Sequence, residues 1–411
     1  MQAKKKNMER MAEVVPDSCD PSLQHFLSNS NWDGRAVMDQ VAMETNALIG
    51  GSQDTALIID ESYFAKKGIK SVGVARQWNG RLGKVDNCQV GVFAALSRDK
   101  FATLIDGRLY LPGKWIEDSD RCKASNVPVE SQVMKSKSDL ALEIVRHNRE
   151  LGVGFSWVGL DGGYGKEPAF LRALDADGET FVADVHKDQL IYLEDPHPSV
   201  PERTSTRGRK PTSPVAQTPS SRVDKWVAAQ PESAWKRMNL RQSTKGRKYV
   251  DVIHQMVWLW DKKEAAAHCW HLIVRREINA RNDIKYSLSN ASHDTPALRL
   301  AKMQGQRFWV ERSFQDGKSQ AGLADYQVRG WKGWNHHVAL VMMALLFLLK
   351  ERIEQKKHYP LLSCADVEGL LAYFLPSRKT ETEEVLRQLQ VRHKKRQASI
   401  DYANKKQELT L

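Results

Sequence analysis

The sequence predicts an α/β fold whose sheet mixes parallel and antiparallel strands. Strand patterns come first: the β-branched run TALIID (residues 55–60) is followed by three strand-like runs separated by glycine-containing turns, as in an antiparallel meander. From residue 139 onward helix and strand patterns alternate, which is typical of an α/β sheet. With 411 residues, the chain is long enough for two or three domains or for one elaborated domain with an insertion.

Residues 1–53 are predicted to be a helical N-terminal segment, because NWDGRAVMDQVAMETNALIG carries apolar residues at helical spacing and ends in a glycine pair. The run TALIID then predicts a buried strand that ends in an acid, Asp60. The next three strands are expected in SVGVARQW, NCQVGVFAALS and FATLIDGRLYL. Together with the elements that follow them, these strands form the first part of the predicted core, residues 54–190.

The second half of this region predicts alternating elements. Residues 139–152 have an aspartate start, a period of about 3.6 residues and a terminal glycine, which predict a helix. The strand pattern FSWVGL then leads into the glycine-rich turn of LDGGYG, which contains Asp161. A short helix in EPAFLRAL and a strand in ETFVADV complete the region.

Residues 191–290 are predicted to be a linker and a β-rich insertion. Residues 196–222 are rich in Pro, Ser, Thr and Arg and supply no core. The runs YVDVIHQMVWLW and CWHLIVRRE that follow are strand-like, and they indicate an inserted β-rich subdomain. Helical patterns return over residues 291–350, and residues 351–411 are predicted to be a charged helical C-terminal tail.

Composition limits the partners and the compartment. The 62 Lys and Arg residues outnumber the 50 Asp and Glu residues, and the net charge of +12 favours polyanionic partners such as nucleic acid. The five cysteines are scattered and never spaced C-x-x-C, so we expect reduced thiols rather than disulfides or a zinc ribbon. The longest apolar run, VALVMMALLFLL (338–349), is too short to span a bilayer and predicts a buried helix. We therefore expect a cytoplasmic protein without membrane contact.

The segment RFWVERSFQDGK (307–318) carries an unusual stripe of side chains. If it is helical, each residue turns about 100°, so Arg307, Glu311 and Lys318 share one face with an aromatic side chain, Phe314. A solvated helix more often pairs opposite charges three or four residues apart, with no aromatic residue between them. The stripe therefore indicates a site.

Three carboxylates give this site a candidate chemistry. Asp60 ends the first strand, Asp161 follows a later strand, and Glu311 lies on the stripe. Oxygen ligands of this kind can hold a pair of divalent cations that activate an attacking oxygen and stabilise a leaving one in phosphoryl transfer. Each acid alone also fits an ordinary role, since aspartates at strand ends and before glycines commonly cap turns.

The combination of motifs resembles the DDE transposases of bacterial insertion sequences, in the group with a Y-x2-R-x3-E-x6-K signature around the third acid. Arg307, Glu311 and Lys318 match this signature, whereas Gln304 stands at the tyrosine position. The segment IIDESYFAKKGIKSVGVARQWNGRLGKVDNCQVGV is similar to the block around the first acid, where DDT is usual in the family; here Glu61 and Ser62 stand at the second and third places of that motif. LDGGYG resembles the block around the second acid, and GLADYQVRGWKGWNHHVALVMMALLFL resembles the segment after the third.

The resemblance implies a fold and a chemistry. The fold is an RNase H-like catalytic core, interrupted by the β-rich insertion before the helix that carries the third acid. Asp60, Asp161 and Glu311 would be the catalytic residues and would hold two Mg²⁺ ions, for which Mn²⁺ can substitute. Cleavage at the ends of the element and strand transfer into target DNA would follow, in a homodimer or higher oligomer bound to DNA at the nucleoid. The N-terminal segment would be a shortened, DNA-binding remnant.

Further DNA contacts are expected around this centre. Arg307 and Lys318 would contact the DNA backbone, and His337 stands at the place of a family histidine. In the segment 196–222, Arg209 and Lys210 either contact DNA phosphates or belong to a solvated tether.

Two alternatives stay open at this point. Trp258 and Trp260 lie two residues apart in a strand pattern and are either core residues or a stacking surface for a displaced base. The chain itself is either an active transposase or a catalytically silent relative that binds DNA in a regulatory role. The presence of all three acids, with Arg307 and Lys318, favours the active enzyme.

Two adjacent residues are candidates for the first catalytic acid. Asp60 and Glu61 are adjacent, and neighbouring side chains of an extended strand point to opposite faces, so only one of them can face the metals. We predict Asp60, because it directly follows the apolar run ALII.

Overall fold

The computed structural model describes residues 3, 5–80, 82–202, 210–243, 246–378 and 381–408. The strands are β1 (Ala56–Ala65), β2 (Ala75–Asn79), β3 (Lys84–Arg98), β4 (Phe101–Leu109), β5 (Trp157–Leu160), β6 (Phe181–Val185), β7 (Leu190–Ile191), β8 (Ser221–Arg222), β9 (Lys236–Ser243), β10 (Gly246–Leu259), β11 (His268–Glu277) and β12 (Ala280–Ser289).

The α-helices within the same ranges precede, separate and follow these strands. They are α1 (Met8–Val14), α2 (Asp20–Ser28), α3 (Gly34–Ile49), α4 (Gly113–Ile116), α5 (Ser119–Ala124), α6 (Lys137–Glu150), α7 (Gly162–Gly165), α8 (Pro168–Ala176), α9 (Val223–Ala228), α10 (Ala297–Gln306), α11 (Phe308–Gln320), α12 (Trp331–Glu354), α13 (Cys364–Phe374) and α14 (Thr382–Glu408).

One large sheet organises the molecule, in the order β2-β3-β1-β5-β6-β12-β11-β10-β9, with β4 paired to β3. The three central strands β1, β5 and β6 are parallel, and the strands on either side of them are antiparallel. The sheet is therefore of mixed direction, as predicted. Strands β9 to β12 of the predicted insertion join this sheet through the pairing of β12 with β6, whereas the short strands β7 and β8 pair in a separate two-stranded sheet.

The two faces of the sheet are covered by different helices. Side chains of β1 alternate between these faces, as the pleat of a strand requires. Ile58 packs in the cluster that contains Phe314 of α11 and residues of α12. Leu57 and Ile59 pack in the cluster that contains α6 and α8. The strand does not end at Asp60 as predicted: Asp60 is the fifth of its ten residues, because β1 stays paired with β3 as far as Ala65. An acid within β1 therefore lies in one of two different environments, depending on the face to which it points.

Helix α6 begins earlier than the aspartate start predicted. Its N-cap is Ser136, whose side chain accepts a hydrogen bond from the backbone N–H of Asp139 at 3.1 Å. The Asp139 carboxylate in turn accepts from the backbone N–H of Ser136 at 2.7 Å. This is a capping box, in which a serine cap and an acid three residues later satisfy each other's backbone donors.

Helix α12 contains the apolar run that predicted a buried helix, and residues along both halves of the helix are buried. The run packs against the sheet rather than exposing a continuous apolar surface. Within the described ranges, no helix combines the length and the apolar character needed to cross a bilayer.

Candidate active site

Three aspartates lie side by side across the parallel strands. In the register of β1 and β5, Ile58 pairs with Gly159, so that Asp60 and Asp161 come next to each other two residues further along. In the register of β5 and β6, Leu160 pairs with Ala183, which brings Asp184 next to Asp161. We call Asp60, Asp161 and Asp184 the aspartate row. The three aspartates follow the last residue pairs of the parallel ladders, while β1 itself continues to Ala65, so negative charge is concentrated where this parallel pairing ends.

Asp60 and Glu61 point to opposite faces of β1. Asp60 is on the face of Ile58, and its carboxylate lies 3.6 Å from a guanidinium nitrogen of Arg307. Glu61 is on the face of α6, where its carboxylate accepts a hydrogen bond from Lys137 Nζ at 2.6 Å and one from the Tyr63 hydroxyl. The acid that shares a face with α11 is Asp60.

Asp161 follows β5 and caps the short helix α7. Its Oδ1 accepts hydrogen bonds from the backbone N–H groups of Gly163 at 2.9 Å and Tyr164 at 3.3 Å. These bonds fix the orientation of the carboxylate. The glycine at the end of this motif, Gly165, is required by packing, because a Cβ there would lie 1.8 Å from the carbonyl oxygen of Asp184.

Arg307 joins the helical part of the site to the sheet. It has helical backbone angles and lies between α10 and α11. Its Nε donates to Asp184 Oδ2 at 3.0 Å, and its Nη2 donates to Glu311 Oε1 at 3.3 Å. With the contact to Asp60, one guanidinium therefore touches three carboxylates.

Burial and like charge raise the pKa of Asp60. The pKa of Asp60 is raised from 3.8 to about 7, first by burial and second by the charge of Asp161, while Arg307 acts in the opposite direction. Two neighbouring carboxylates of which one resists ionisation are a common feature of catalytic and cation-binding sites. The acidic pair therefore favours a cation beside it.

The donors in this site suit a divalent metal ion. As the side chains of the described residues stand, no three His, Cys, Asp or Glu groups gather closely enough to hold an ion. Arg307 supplies the positive charge among the acids instead. Glu311 is 54% exposed, and its carboxylate contacts the same guanidinium as that of Asp60. Carboxylate oxygens are the ligands that Mg²⁺ prefers, so the residues present fit this ion.

The remaining residues of the stripe lie further along α11. Phe314 is buried against the sheet, and Lys318 Nζ lies over the ring of Phe64 of β1, 5.9 Å from its centroid. Lys318 is therefore on the same side of the sheet as Asp60. His337 is 7% exposed, and its ring packs against Tyr326 with centroids 4.8 Å apart. A DNA contact by His337 would require this packing to open.

The predicted peripheral contacts lie elsewhere. Lys210 is exposed, and Arg209 lies outside the described residues. Trp258 is half-buried on β10, whereas Trp260 follows the strand, is 9% exposed and donates its indole N–H to the Glu264 carbonyl at 2.9 Å. The structure does not bring either tryptophan into the contacts around Arg307.

Asp184 is the residue that the sequence analysis missed. It has the shortest contact to Arg307, and its Oδ1 also accepts a hydrogen bond from the Ser287 hydroxyl at 2.5 Å. Its local signal was an acid near the end of the strand pattern ETFVADV, which the sequence alone does not distinguish from an ordinary acid at a strand end. The parallel pairing of β5 with β6 is what places Asp184 beside Asp161.

Comparisons with known proteins identify the family of this chain. A family model described as DDE superfamily endonuclease matches residues 1–247, a range that includes the aspartate row and ends before Glu311. A relative described as a probable transposase for insertion sequence element IS701, from Microchaete diplosiphon, is 22% identical over 333 residues, covering 79% of this chain and 73% of the relative. A solved structure, the NurA nuclease from Sulfolobus solfataricus, matches over 80% of this chain and 94% of that chain with 9% identity, but the TM-score of 0.24 is too low to show a shared fold. The family model covers more than half of the chain, which confirms the resemblance: the chain belongs to the DDE superfamily endonucleases.

Proposed function

We propose that the chain is a DDE transposase that cleaves the ends of an insertion sequence and joins them to target DNA. The observation that carries the proposal is the adjacency of Asp60 and Asp161 on parallel strands, facing Arg307 and Glu311 on the helix above them. The relative described as a probable transposase for an insertion sequence supports the same substrate class.

The proposed architecture is an RNase H-like core. Residues 54–190 and 291–350 form this core, residues 191–290 are the linker and insertion, and the segments 1–53 and 351–411 are helical additions. Mixed strand direction, with parallel strands at the centre, supports this division. In this arrangement the central strands carry two of the acids and α11 carries the third.

Asp60, Asp161 and Glu311 would hold two Mg²⁺ ions, and Mn²⁺ could replace them. Bound divalent ions supply an activated attacking oxygen and stabilise the charge on the leaving oxygen. The chain's own contribution is to orient the acids: the backbone N–H groups of α7 fix Asp161, and β1 fixes the face of Asp60. Arg307 and Lys318 would contact phosphates beside the reacting bond, because both are cations on the side of α11 that faces β1.

The direct test is cleavage of DNA that carries the element's ends. We expect cutting with Mg²⁺ or Mn²⁺, binding without cutting with Ca²⁺, and no cutting in excess chelator. Undiminished cleavage in chelator would exclude the metal-dependent mechanism. Specific end binding without cleavage in any metal would instead identify a silent, DNA-binding relative.

Transposition requires two DNA ends to be held together, so we propose that the working form is a dimer or higher oligomer on DNA at the nucleoid. Light scattering of the protein with and without end DNA measures this directly. A complex that contains one subunit for each pair of ends would contradict the proposal.

A further inference from the structure

A metal ion bound at the site would compete with Arg307 for two of its three carboxylate partners. The guanidinium lies 3.6 Å from Asp60, 3.3 Å from Glu311 and 3.0 Å from Asp184. Asp60 and Glu311 are the proposed metal ligands, and a carboxylate that binds a cation through its oxygens has fewer lone pairs left for a guanidinium. Asp184 is the contact that Arg307 can retain.

Asp184 is itself held in place from the other side. Ser287 lies opposite Asp184 in the pairing of β12 with β6, and its hydroxyl donates to Asp184 Oδ1 at 2.5 Å. The Gln304 amide donates to the Ser287 hydroxyl at 2.7 Å. Ser287 is fully buried and Gln304 is 4% exposed, so that these bonds are shielded from water. Hydrogen bonds are stronger in such a low-dielectric interior and hold the Asp184 carboxylate in one orientation, although the side-chain oxygen of Gln304 has no hydrogen-bond partner among the described residues.

The contacts close into a ring. Gln304 precedes Arg307 by about one helical turn. The same helical segment therefore carries both the first and the last side chain of this series of hydrogen bonds. The order is Gln304, Ser287, Asp184 and Arg307. Gln304 occupies the position at which the resembling transposases carry tyrosine, and here its amide has a defined partner in the sheet.

We propose that Asp184 is a positioning residue that retains Arg307 in the active site while metal ions take over Asp60 and Glu311. With Asp184 present, the guanidinium loses its contacts with Asp60 and Glu311 but keeps the contact with Asp184. It therefore stays where it can contact a DNA phosphate beside the reacting bond. Without Asp184, the only carboxylates of the described residues that contact Arg307 are the metal ligands, and Arg307 competes with the ions for them. The inference rests on the proposed function, because it assumes that metal ions bind the acids.

A double-mutant cycle on metal binding tests the competition. Mn²⁺ affinity is measured by calorimetry, without DNA, for the wild type, Asp184→Asn, Arg307→Gln and the double variant. We expect Asp184→Asn to weaken Mn²⁺ binding about tenfold, within the range of couplings between contacting residues. In the Arg307→Gln background the same substitution should have almost no effect, because the competitor has been removed.

The cycle separates this role from a simpler one. Asp184 could attract the metal through its charge alone, and in that case the tenfold loss would persist in the Arg307→Gln background and overturn the proposal. Ser287→Ala keeps the charge of Asp184 and removes only its orienting bond, and it should weaken Mn²⁺ binding in the same direction and by a smaller factor. If Asp184→Asn does not fold, Ser287→Ala in both Arg307 backgrounds supplies the cycle.

Two controls complete the experiment. Asp188 is exposed in the turn after β6, so Asp188→Asn removes the same charge nearby and should leave Mn²⁺ affinity unchanged. End cleavage by the wild type tests the proposed function separately. Cleavage and Mn²⁺ binding by the wild type, together with no coupling in the cycle, would overturn the role of Asp184 alone. Failure of the wild type to bind Mn²⁺ would overturn both.

Discussion

The charge of Asp60 provides a test of the aspartate row that requires no DNA. Its pKa is raised from 3.8 to about 7, first by burial and then by Asp161. The folded protein therefore holds this proton more tightly than the unfolded chain does. The resulting stabilisation is complete below pH 3.8 and is lost as the pH rises through about 7.

The size of the effect follows from the two pKa values. The interval from 3.8 to about 7 corresponds to about 4 kcal/mol, at about 1.4 kcal/mol for each tenfold change in proton affinity. Asp60→Asn replaces the carboxylate with a neutral group of similar size. Without metal at pH 8 the variant should be more stable than the wild type, by at most about 4 kcal/mol. At pH 5 this advantage should be smaller by about 3 kcal/mol, because folded wild-type Asp60 is then mostly protonated.

The assay is urea unfolding in the presence of chelator at pH 5 and pH 8. Asp120 is an exposed acid on α5, and Asp120→Asn should leave the pH dependence of stability unchanged. Addition of Mg²⁺ at pH 8 should stabilise the wild type more than Asp60→Asn. If the stability advantage of Asp60→Asn is the same at both pH values, the claim that folding raises the pKa of Asp60 is refuted.

Three further substitutions test other parts of the account. Lys318→Ala should weaken DNA binding and slow cleavage but leave Mn²⁺ affinity intact, unlike Glu311→Ala; equal loss of Mn²⁺ affinity in both would show that the assigned roles are wrong. Gly165→Ala should destabilise the fold by about 3 kcal/mol in urea unfolding, because its Cβ would meet a β6 carbonyl oxygen, whereas Gly68→Ala, with open space around it, is the control. Ser136→Ala should lower the free energy of unfolding by about 1 kcal/mol through loss of the α6 cap, and an unchanged value would contradict the capping box.

Local sequence patterns predicted the elements whose signal is local. The run before Asp60 is apolar on both faces and predicted β1, and the apolar run at 338–349 predicted the buried part of α12. The α6 start was misplaced by three residues, because Asp139 was interpreted as the cap when it is the partner of the Ser136 cap. A serine and an acid three residues apart are the signal that would have located it.

Other features depend on pairing between distant residues and have weak local signals. Strands β9 and β12 read KRMNLRQS and ARNDIKYSLS, and their charged residues hide the strand pattern until partners are known. Asp184 becomes a neighbour of Asp161 only through the register of β5 and β6. The partner of Gln304 is on β12, and no spacing in the sequence connects the two.

The central claim is that Asp60, rather than its neighbour Glu61, belongs to the catalytic centre. The most direct test is end cleavage by Asp60→Asn and Glu61→Gln at matched DNA occupancy in Mg²⁺. Because Asp60 shares its face of β1 with α11 while Glu61 pairs with Lys137 of α6, Asp60→Asn should bind DNA without cutting it. Glu61→Gln should retain a substantial part of the wild-type rate. An active Asp60→Asn beside an inactive Glu61→Gln would contradict the account and move the first catalytic acid by one residue, to the opposite face of the sheet.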